Sequence, residues 1–133
     1  MDGLHLTADL RDCRTDCAAL VDTASLRDAC LAAVASAGLQ AVGELFHRFP
    51  AAPSGGTAPP SCGGITGVVL LAESHLAVHT WPELRAVTLD VYVCNFGADN
   101  TSRAHALLES LIALFQPLRV ERHAIHRGNP ASP

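Results

Sequence analysis

Residues 64–97 carry the strongest strand signal in the sequence. Residues 65–72 are mostly β-branched residues and leucine, which is typical of a strand that is buried on both faces. Residues 86–94 alternate instead, and every second position there is apolar: Val87, Leu89, Val91 and Val93. Pro82 interrupts the chain between the two runs. The segment therefore predicts strands of one sheet, and the rest of the chain must supply the layer that covers it.

Two other segments have helical spacing. The first is predicted to begin at Ser25 as N-cap and to end at Gly38 as the C′ residue, with a recurring apolar set: Leu26, Cys30, Leu31 and Val34. The second begins at Asn100 or Thr101 and ends at Pro117. Its apolar stripe is wide enough to pack on a sheet. That stripe comprises Ala104, Leu107, Leu108, Leu111, Ile112 and Phe115.

The order of these elements predicts the fold class. Residues 4–10, 39–49 and 118–125 supply further strands, so the chain runs strand–helix–strand, then strands, then helix–strand. We expect an α+β fold, a two-layer sandwich with helices packed on one face of a mainly antiparallel sheet. Residues 50–64 are rich in Pro, Gly, Ala, Ser and Thr and are predicted to form a loop. The length of 133 residues fits a single domain over 1–133.

Charge and cysteine usage exclude several classes of protein. The net charge is −4 and no basic run is present, which argues against nucleic acid or an anionic membrane as partner. No apolar run approaches a membrane span, and Asp2 stands where a signal peptide would be basic, so we expect a cytoplasmic protein. Five cysteines are an odd number, which disfavours a disulfide framework. Cys13 and Cys17 have no second pair to complete a zinc finger or ribbon, and no metal is expected.

Polar side chains interrupt the strand-like segment and predict a site. An unsatisfied polar group beside a buried sheet costs about 1–3 kcal/mol, so their concentration indicates either a functional site or a structural hydrogen-bond network. A serine hydrolase is disfavoured because Ser74 lacks the flanking glycines of a nucleophile elbow. A metal pair of His75 and His79 is disfavoured because two residues four apart on a strand lie about 13 Å apart.

Three motifs in this segment are more specific. They read ESHL at residues 73–76, HTWPE at 79–83 and DVYVC at 90–94, and they resemble the bacterial S-adenosylmethionine decarboxylase proenzymes. The resemblance continues through FHRF at 46–49 and TGVV at 66–69, and it reaches the N-terminus at residues 3–5, 8–9 and 13. It is weakest in the Pro/Gly-rich loop and the C-terminal tail.

The resemblance implies that the chain makes its own cofactor. The hydroxyl of Ser74 would attack the carbonyl of Glu73, and elimination followed by hydrolysis would leave a pyruvoyl group derived from Ser74 and release ammonia. Residues 1–73 and 74–133 would then be separate chains. In the family the pyruvoyl carbonyl condenses with the substrate amine and accepts the electrons left when CO₂ departs, so no external cofactor is needed.

The resemblance also implies roles for individual residues. His79 would take a proton during self-processing, helped by Thr66, where the family more often has serine. Cys94 would reprotonate the product, although a lone cysteine at a strand end often only packs. Phe49 would stack on adenine and Glu83 would hold the ribose hydroxyls, while packing and a solvated turn are their structural alternatives. A homodimer in which two protomers contribute to each site is implied as well.

Two alternatives stay open. The same chemistry could act on L-ornithine or L-arginine, although Phe49 and Glu83 suit a nucleoside and favour S-adenosylmethionine, whose product would feed spermidine synthesis. A non-catalytic relative that stays uncleaved is disfavoured by Ser74, His79 and Cys94.

Ser74 and His79 are an odd number of residues apart, so a flat strand would point them to opposite faces. Their proximity therefore requires a bend or a feature of the fold.

Overall fold

A computed structural model describes residues 1–50 and 63–128, so most of the predicted loop at 50–64 and the last five residues lie outside the described part. Within these residues eight main elements follow one another, and short 3₁₀ segments lie at Ala18–Leu20 and Pro82–Leu84. In chain order they are β1 (Asp2–Arg11), α1 (Thr23–Ser36), β2 (Ala41–Arg48), β3 (Ile65–Leu71), β4 (Ser74–Trp81), β5 (Ala86–Cys94), α2 (Thr101–Phe115) and β6 (Arg119–Gly128).

The six strands form one antiparallel sheet with the order β2-β3-β4-β5-β1-β6. Helix α1 packs on β2 and β3, and α2 packs on β1 and β5, so both helices cover the same face. This confirms the predicted α+β two-layer sandwich. In the described part of the chain the opposite face of the sheet carries no helix, and we call it the uncovered face. No described helix is long and apolar enough to cross a membrane.

Burial alternates along the strands because only one face is covered. On β5 the four residues predicted from the alternation, from Val87 to Val93, are all buried against the helices. The prediction that residues 65–72 are buried on both faces is wrong for this chain: Ile65 and Val69 are buried, whereas Leu70 is 49% exposed. The run is apolar on both parities, yet the helix layer reaches only one of them. Residues 74–81, assigned to no element from the sequence, form β4.

The helix ends differ in part from the prediction. Asp22, not Ser25, is the N-cap of α1, because its carboxylate accepts hydrogen bonds from the backbone N–H and the hydroxyl of Ser25 at 2.9 and 2.6 Å. These bonds hold the pKa of Asp22 below its ordinary value. Gly38, with φ of +81°, is the C′ residue as predicted. Helix α2 ends before Pro117, with Gln116 in the left-handed region as its C-cap.

The core lies between the helices and the covered face. All six residues predicted for the α2 stripe are buried, and Phe115 at its end is fully enclosed. Two cysteines belong to the same core. Burial raises the pKa of the Cys30 thiol to about 12 and that of Cys13 to about 11. Both thiols are therefore protonated and apolar in character at neutral pH.

Truncation of Phe115 tests where the core lies. Phe115→Ala should lower the free energy of unfolding by about 3–5 kcal/mol, because it removes a fully buried ring and leaves a cavity. The matched control is Phe96→Ala, since Phe96 is 77% exposed and its loss should cost about 0.5 kcal/mol or less. Urea denaturation of both variants measures the difference. Equal losses would contradict this placement of the core.

Candidate active site

The predicted site residues fall into two groups at opposite ends of β4. The first group, which we call the histidine group, comprises Thr66 on β3, His79 on β4 and the neighbouring Phe49, Trp81 and Glu83. The second, the serine group, comprises Glu73 and Ser74 at the start of β4 and Cys94 at the end of β5. The antiparallel hairpin of β3 and β4 places both groups in the same sheet.

His79 and Thr66 are held together by strand register. They are direct partners in the β3–β4 ladder, and Thr66 Oγ1 lies 3.0 Å from His79 Nδ1. Neither side chain is on the helix-covered parity, since Ile65, Val78 and Thr80 occupy that side. The Trp81 ring, two residues along the same face, lies 5.9 Å from the His79 ring between centroids. The hydroxyl and the indole together fix the orientation of the imidazole.

A cavity of about 360 Å³ opens beside this pair. Its walls include the rings of Phe49 and Trp81 and the side chain of Glu83, which lies in the first turn of the 3₁₀ segment Pro82–Leu84. The backbone N–H of Phe49 donates to the carbonyl of Gly64 at 2.8 Å, which places the Phe49 ring at the cavity mouth. Flat aromatic faces next to a carboxylate can hold a planar base and two hydroxyl donors.

Thr80 is a buried polar residue whose importance sequence reasoning missed. It is 3% exposed, and its hydroxyl accepts from the N–H of Ile65 and donates to the carbonyl of Leu20, both at 3.0 Å. These bonds tie the start of β3 and the end of β4, two walls of the cavity, to the helix side. A threonine on the apolar parity of a strand, after Leu76 and Val78, was the available signal.

In the serine group, Ser74 follows a strained turn. The two-residue turn between β3 and β4 places Glu73 at φ of +53°, a left-handed conformation that costs a non-glycine residue about 1–2 kcal/mol. The N–H of Cys94 donates to Ser74 Oγ at 3.1 Å. A cavity of about 520 Å³ adjoins the group and is lined in part by Glu73, Tyr92 and Cys94. The scissile position predicted from the sequence thus has a hydroxyl held on its Ser74 side and a cavity bordering its Glu73 side.

The structure does not bring the two groups together within one chain. Strand β4 keeps unbroken register with both neighbours from end to end, so Ser74 and His79 lie about 16 Å apart along it. Their alternation also points them to opposite faces. The bend that could have joined them is not present in this strand, and the predicted encounter of His79 with Ser74 is not made inside a single copy.

The uncovered face between the groups is mixed in character. In its centre His5 Nε2 lies 3.0 Å from Asp90 Oδ1, and the Tyr92 ring lies between His75 at 5.7 Å and the guanidinium of Arg127 at 5.4 Å. Towards its edges it carries large exposed apolar side chains: Leu45, Leu70 and Ile125. A bare sheet face with such residues is typical of a protein contact surface.

Comparisons with known proteins agree with this architecture. A family model described as S-adenosylmethionine decarboxylase matches residues 4–128. The S-adenosylmethionine decarboxylase proenzyme of Aquifex aeolicus strain VF5 is 34% identical over 126 residues, which cover 95% of this chain and 81% of that protein. The proenzyme of Parasynechococcus marenigrum strain WH8102 is 35% identical and the match covers 99% and 90% of the two chains.

Solved structures give the same result. The crystal structure of the adenosylmethionine decarboxylase from Aquifex aeolicus VF5 superposes with a TM-score of 0.80 and 31% identity, over 98% of this chain and 94% of that one. A Trypanosoma brucei AdoMetDC-delta26 monomer, at 13% identity and a TM-score of 0.51, shares the fold over 44% of its length. Because the family model and these relatives each cover nearly the whole sequence, the chain belongs to the S-adenosylmethionine decarboxylase family.

Proposed function

We propose that this chain is a self-processing decarboxylase of S-adenosylmethionine. It would divide between Glu73 and Ser74 into residues 1–73 and 74–133. The observation that carries the proposal is the serine group itself: Ser74 directly follows a residue in a strained conformation, and its Oγ is held by the Cys94 N–H beside a cavity. Relatives that cover most of the chain are named proenzymes of this activity.

The residues of the serine group fit a pyruvoyl group derived from Ser74. Once formed, that group supplies an electrophilic carbonyl that can accept the electron pair of the bond to CO₂. The adjoining cavity leaves room for a substrate at this position. The N–H of Cys94 donates to Ser74 Oγ, and the Cys94 residue lines the cavity next to Glu73. We assign the Cys94 thiol the return of a proton to the substrate carbon after CO₂ departs.

The cavity of the histidine group supports a nucleoside substrate over a simple amino acid. Phe49 offers a flat face on which adenine can stack, and the sulfonium charge of the substrate would add a cation–π attraction to that ring. Glu83 offers a carboxylate for the ribose hydroxyls. L-ornithine has no flat group for the aromatic wall. The guanidinium of L-arginine can stack on a ring and pair with a carboxylate, but it offers neither a purine-sized face nor a pair of hydroxyls. This favours S-adenosylmethionine as the substrate of the family chemistry.

The separation of the two groups supports a homodimer with shared sites. A general base must come within about 3 Å of the proton that it removes, whereas His79 and Ser74 of one chain are about 16 Å apart along β4. A second copy can supply the missing group if the uncovered faces pack together, at the usual sheet spacing of about 10 Å. A two-fold axis over the middle of the face would set the histidine group of each copy over the turn at Glu73 and over the Cys94 side chain of the other, which lies on the uncovered parity of β5. Ser74 is the first residue of β4 and lies on the other parity, so its hydroxyl would have to turn round the end of the strand to meet that histidine.

The uncovered face supports such packing. Leu45 and Leu70 on the β2–β3 side are 71% and 49% exposed in the single chain, and contact with a second sheet would remove them from water. The central His5 and Asp90 side chains contact each other at 3.0 Å, so each keeps a polar partner when the face is covered. The partners that we propose are therefore a small-molecule substrate and a second copy of this chain.

The first prediction of the proposed function concerns the cofactor. Under denaturing conditions the purified protein should give two masses that divide at Glu73–Ser74, the second lighter by one ammonia than a fragment that begins with serine. Ser74→Ala should give a folded, uncleaved and inactive chain, because the attacking hydroxyl is gone. Intact-mass measurement with a circular dichroism control tests both. A stable full-length wild-type chain would favour the non-catalytic alternative.

The second prediction concerns the shared site. Ser74→Ala and His79→Ala are each expected to be inactive alone. Co-expressed, they should restore about a quarter of the wild-type decarboxylase activity, since about half of randomly formed dimers are mixed and each holds one intact site of two. Co-expression of Ser74→Ala with Cys94→Ala is the matched control and should restore none, because both residues belong to the serine group. Activity in neither mixture would contradict sharing between copies.

The third prediction concerns substrate choice. Phe49→Ala should raise KM for S-adenosylmethionine about tenfold, because stacking of a base on an aromatic ring contributes about 1–3 kcal/mol. Leu84→Ala is the control, since Leu84 is exposed near the cavity without lining it, and its KM should not change. Turnover of S-adenosylmethionine, L-ornithine and L-arginine is compared in parallel. Turnover of an amino acid alone would overturn the substrate assignment.

A further inference from the structure

The segment that joins β5 to α2 contains an asparagine whose side chain is used in an unusual way. Asn100 occupies the N-cap position of α2, where an asparagine side chain commonly accepts a hydrogen bond from the first turn and contributes about 1 kcal/mol. In this helix it makes no such bond. Its Nδ2 instead donates to the carbonyl of Cys94 at 2.9 Å, and its Oδ1 accepts from Nη1 of Arg103 at 2.8 Å.

The same segment is fastened at two further points. The N–H of Asn100 donates to Oδ1 of Asn95 at 2.8 Å, and the N–H of Asn95 donates to the carbonyl of Asp2 on β1 at 2.8 Å. The start of α2 is served by Asp99 instead, whose carboxylate accepts from the N–H of Thr101 at 3.0 Å. The Asn100 side chain therefore makes no cap bond to the backbone of the helix, and it bonds instead to the Cys94 carbonyl and the Arg103 side chain.

Cys94 is consequently held on both sides. Its carbonyl is fixed by Asn100, and its N–H donates to Ser74 Oγ at 3.1 Å. Because peptide units are planar, fixing these two groups restricts the two backbone dihedrals of Cys94. The direction of the Cys94 N–H towards Ser74 is therefore set by the Asn100 bond together with the pairing of β5 with β1.

We propose that Asn100 is a positioning residue for self-cleavage, holding the Cys94 peptide so that its N–H donates to Ser74 Oγ. This rests on the proposed self-processing function. In the first step the bond from Oγ to the Glu73 carbonyl carbon forms, the peptide C–N bond breaks, and the hydroxyl proton passes to the freed amine. In the second step a general base, which the proposed function assigns to His79 of a second copy, takes the Cα proton of Ser74, the Cβ–Oγ bond breaks, and Oγ leaves as an oxygen of the new Glu73 carboxylate. The dehydroalanine that remains tautomerises to an imine. Water then replaces the nitrogen, which departs as ammonia.

Negative charge develops on Oγ as it loses its proton and again as it leaves. A fixed N–H donor stabilises that charge, and loss of such a donor outright slows comparable reactions about 10²–10³-fold. Asn100 acts through Cys94 and not on Oγ itself, so its loss should slow cleavage less, by about tenfold.

The test compares three variants of the full chain. Asn100→Asp keeps the shape and the acceptor for Arg103 but cannot donate to the Cys94 carbonyl, and Asn100→Gly removes the side chain altogether at a position where glycine is tolerated as N-cap. Both should lengthen the half-time of cleavage about tenfold, measured by intact mass after cell-free synthesis, while Tm falls no further than in the control variant. The matched control is Asp99→Ala, which should lower Tm through the lost cap and cleave at the wild-type rate.

A second readout separates positioning from stability. In the His79→Ala background, where the chain should stay uncleaved with Ser74 present, the Cys94 amide should be protected from hydrogen exchange. Asn100→Asp should remove that protection and Asp99→Ala should keep it. Cleavage of Asn100→Asp at the wild-type rate, or cleavage rates that follow Tm across all three variants, would overturn the role of Asn100. Failure of the wild type to cleave would instead overturn the proposed function.

Discussion

The two-residue period of β4, with a helix layer on one side only, is the constraint on which the rest of the structure depends. Leu76, Val78 and Thr80 must face the helices, since they fill the core and bind the start of β3. His79 is thereby forced onto the uncovered face, next to Thr66. The same period, with no bulge along the strand, keeps Ser74 at the far end. Packing of the core thus decides which catalytic candidates can meet.

Elements with strong apolar periodicity could be predicted from the sequence. Strand β5 and helix α2 match the predicted ranges because one parity or one stripe is continuously apolar and meets a single covering layer. The prediction that β3 is buried on both faces was wrong because Val68 and Leu70 make its second parity apolar as well, although no described helix covers that side. β4 was passed over because its uncovered parity carries histidines and a tryptophan, which hide the alternation.

The chemistry of the site could be predicted further than its geometry. Motif resemblance named Ser74, His79 and Cys94, and those roles stay predictions. The Thr66–His79 contact depends on hairpin register, which the residues between them do not reveal. Thr80 and Asn100 were missed because their bonds join segments that come together only in the folded chain. Ser74 and His79 differ by an odd number of residues, and this was the one signal in the sequence that their side chains do not meet on a single strand.

The position of the turn at Glu73 also determines what a cut there would do to the sheet. Residues before it supply β1, β2 and β3, and those after it supply β4, β5 and β6. In the sheet these two sets are interleaved, since β1 lies between β5 and β6 while β3 pairs with β4. The fragments would be interlocked through three strand pairings, and neither could leave without dismantling the core. Cleavage would turn a single-chain fold into a non-covalent complex, whose stability against unfolding depends on protein concentration.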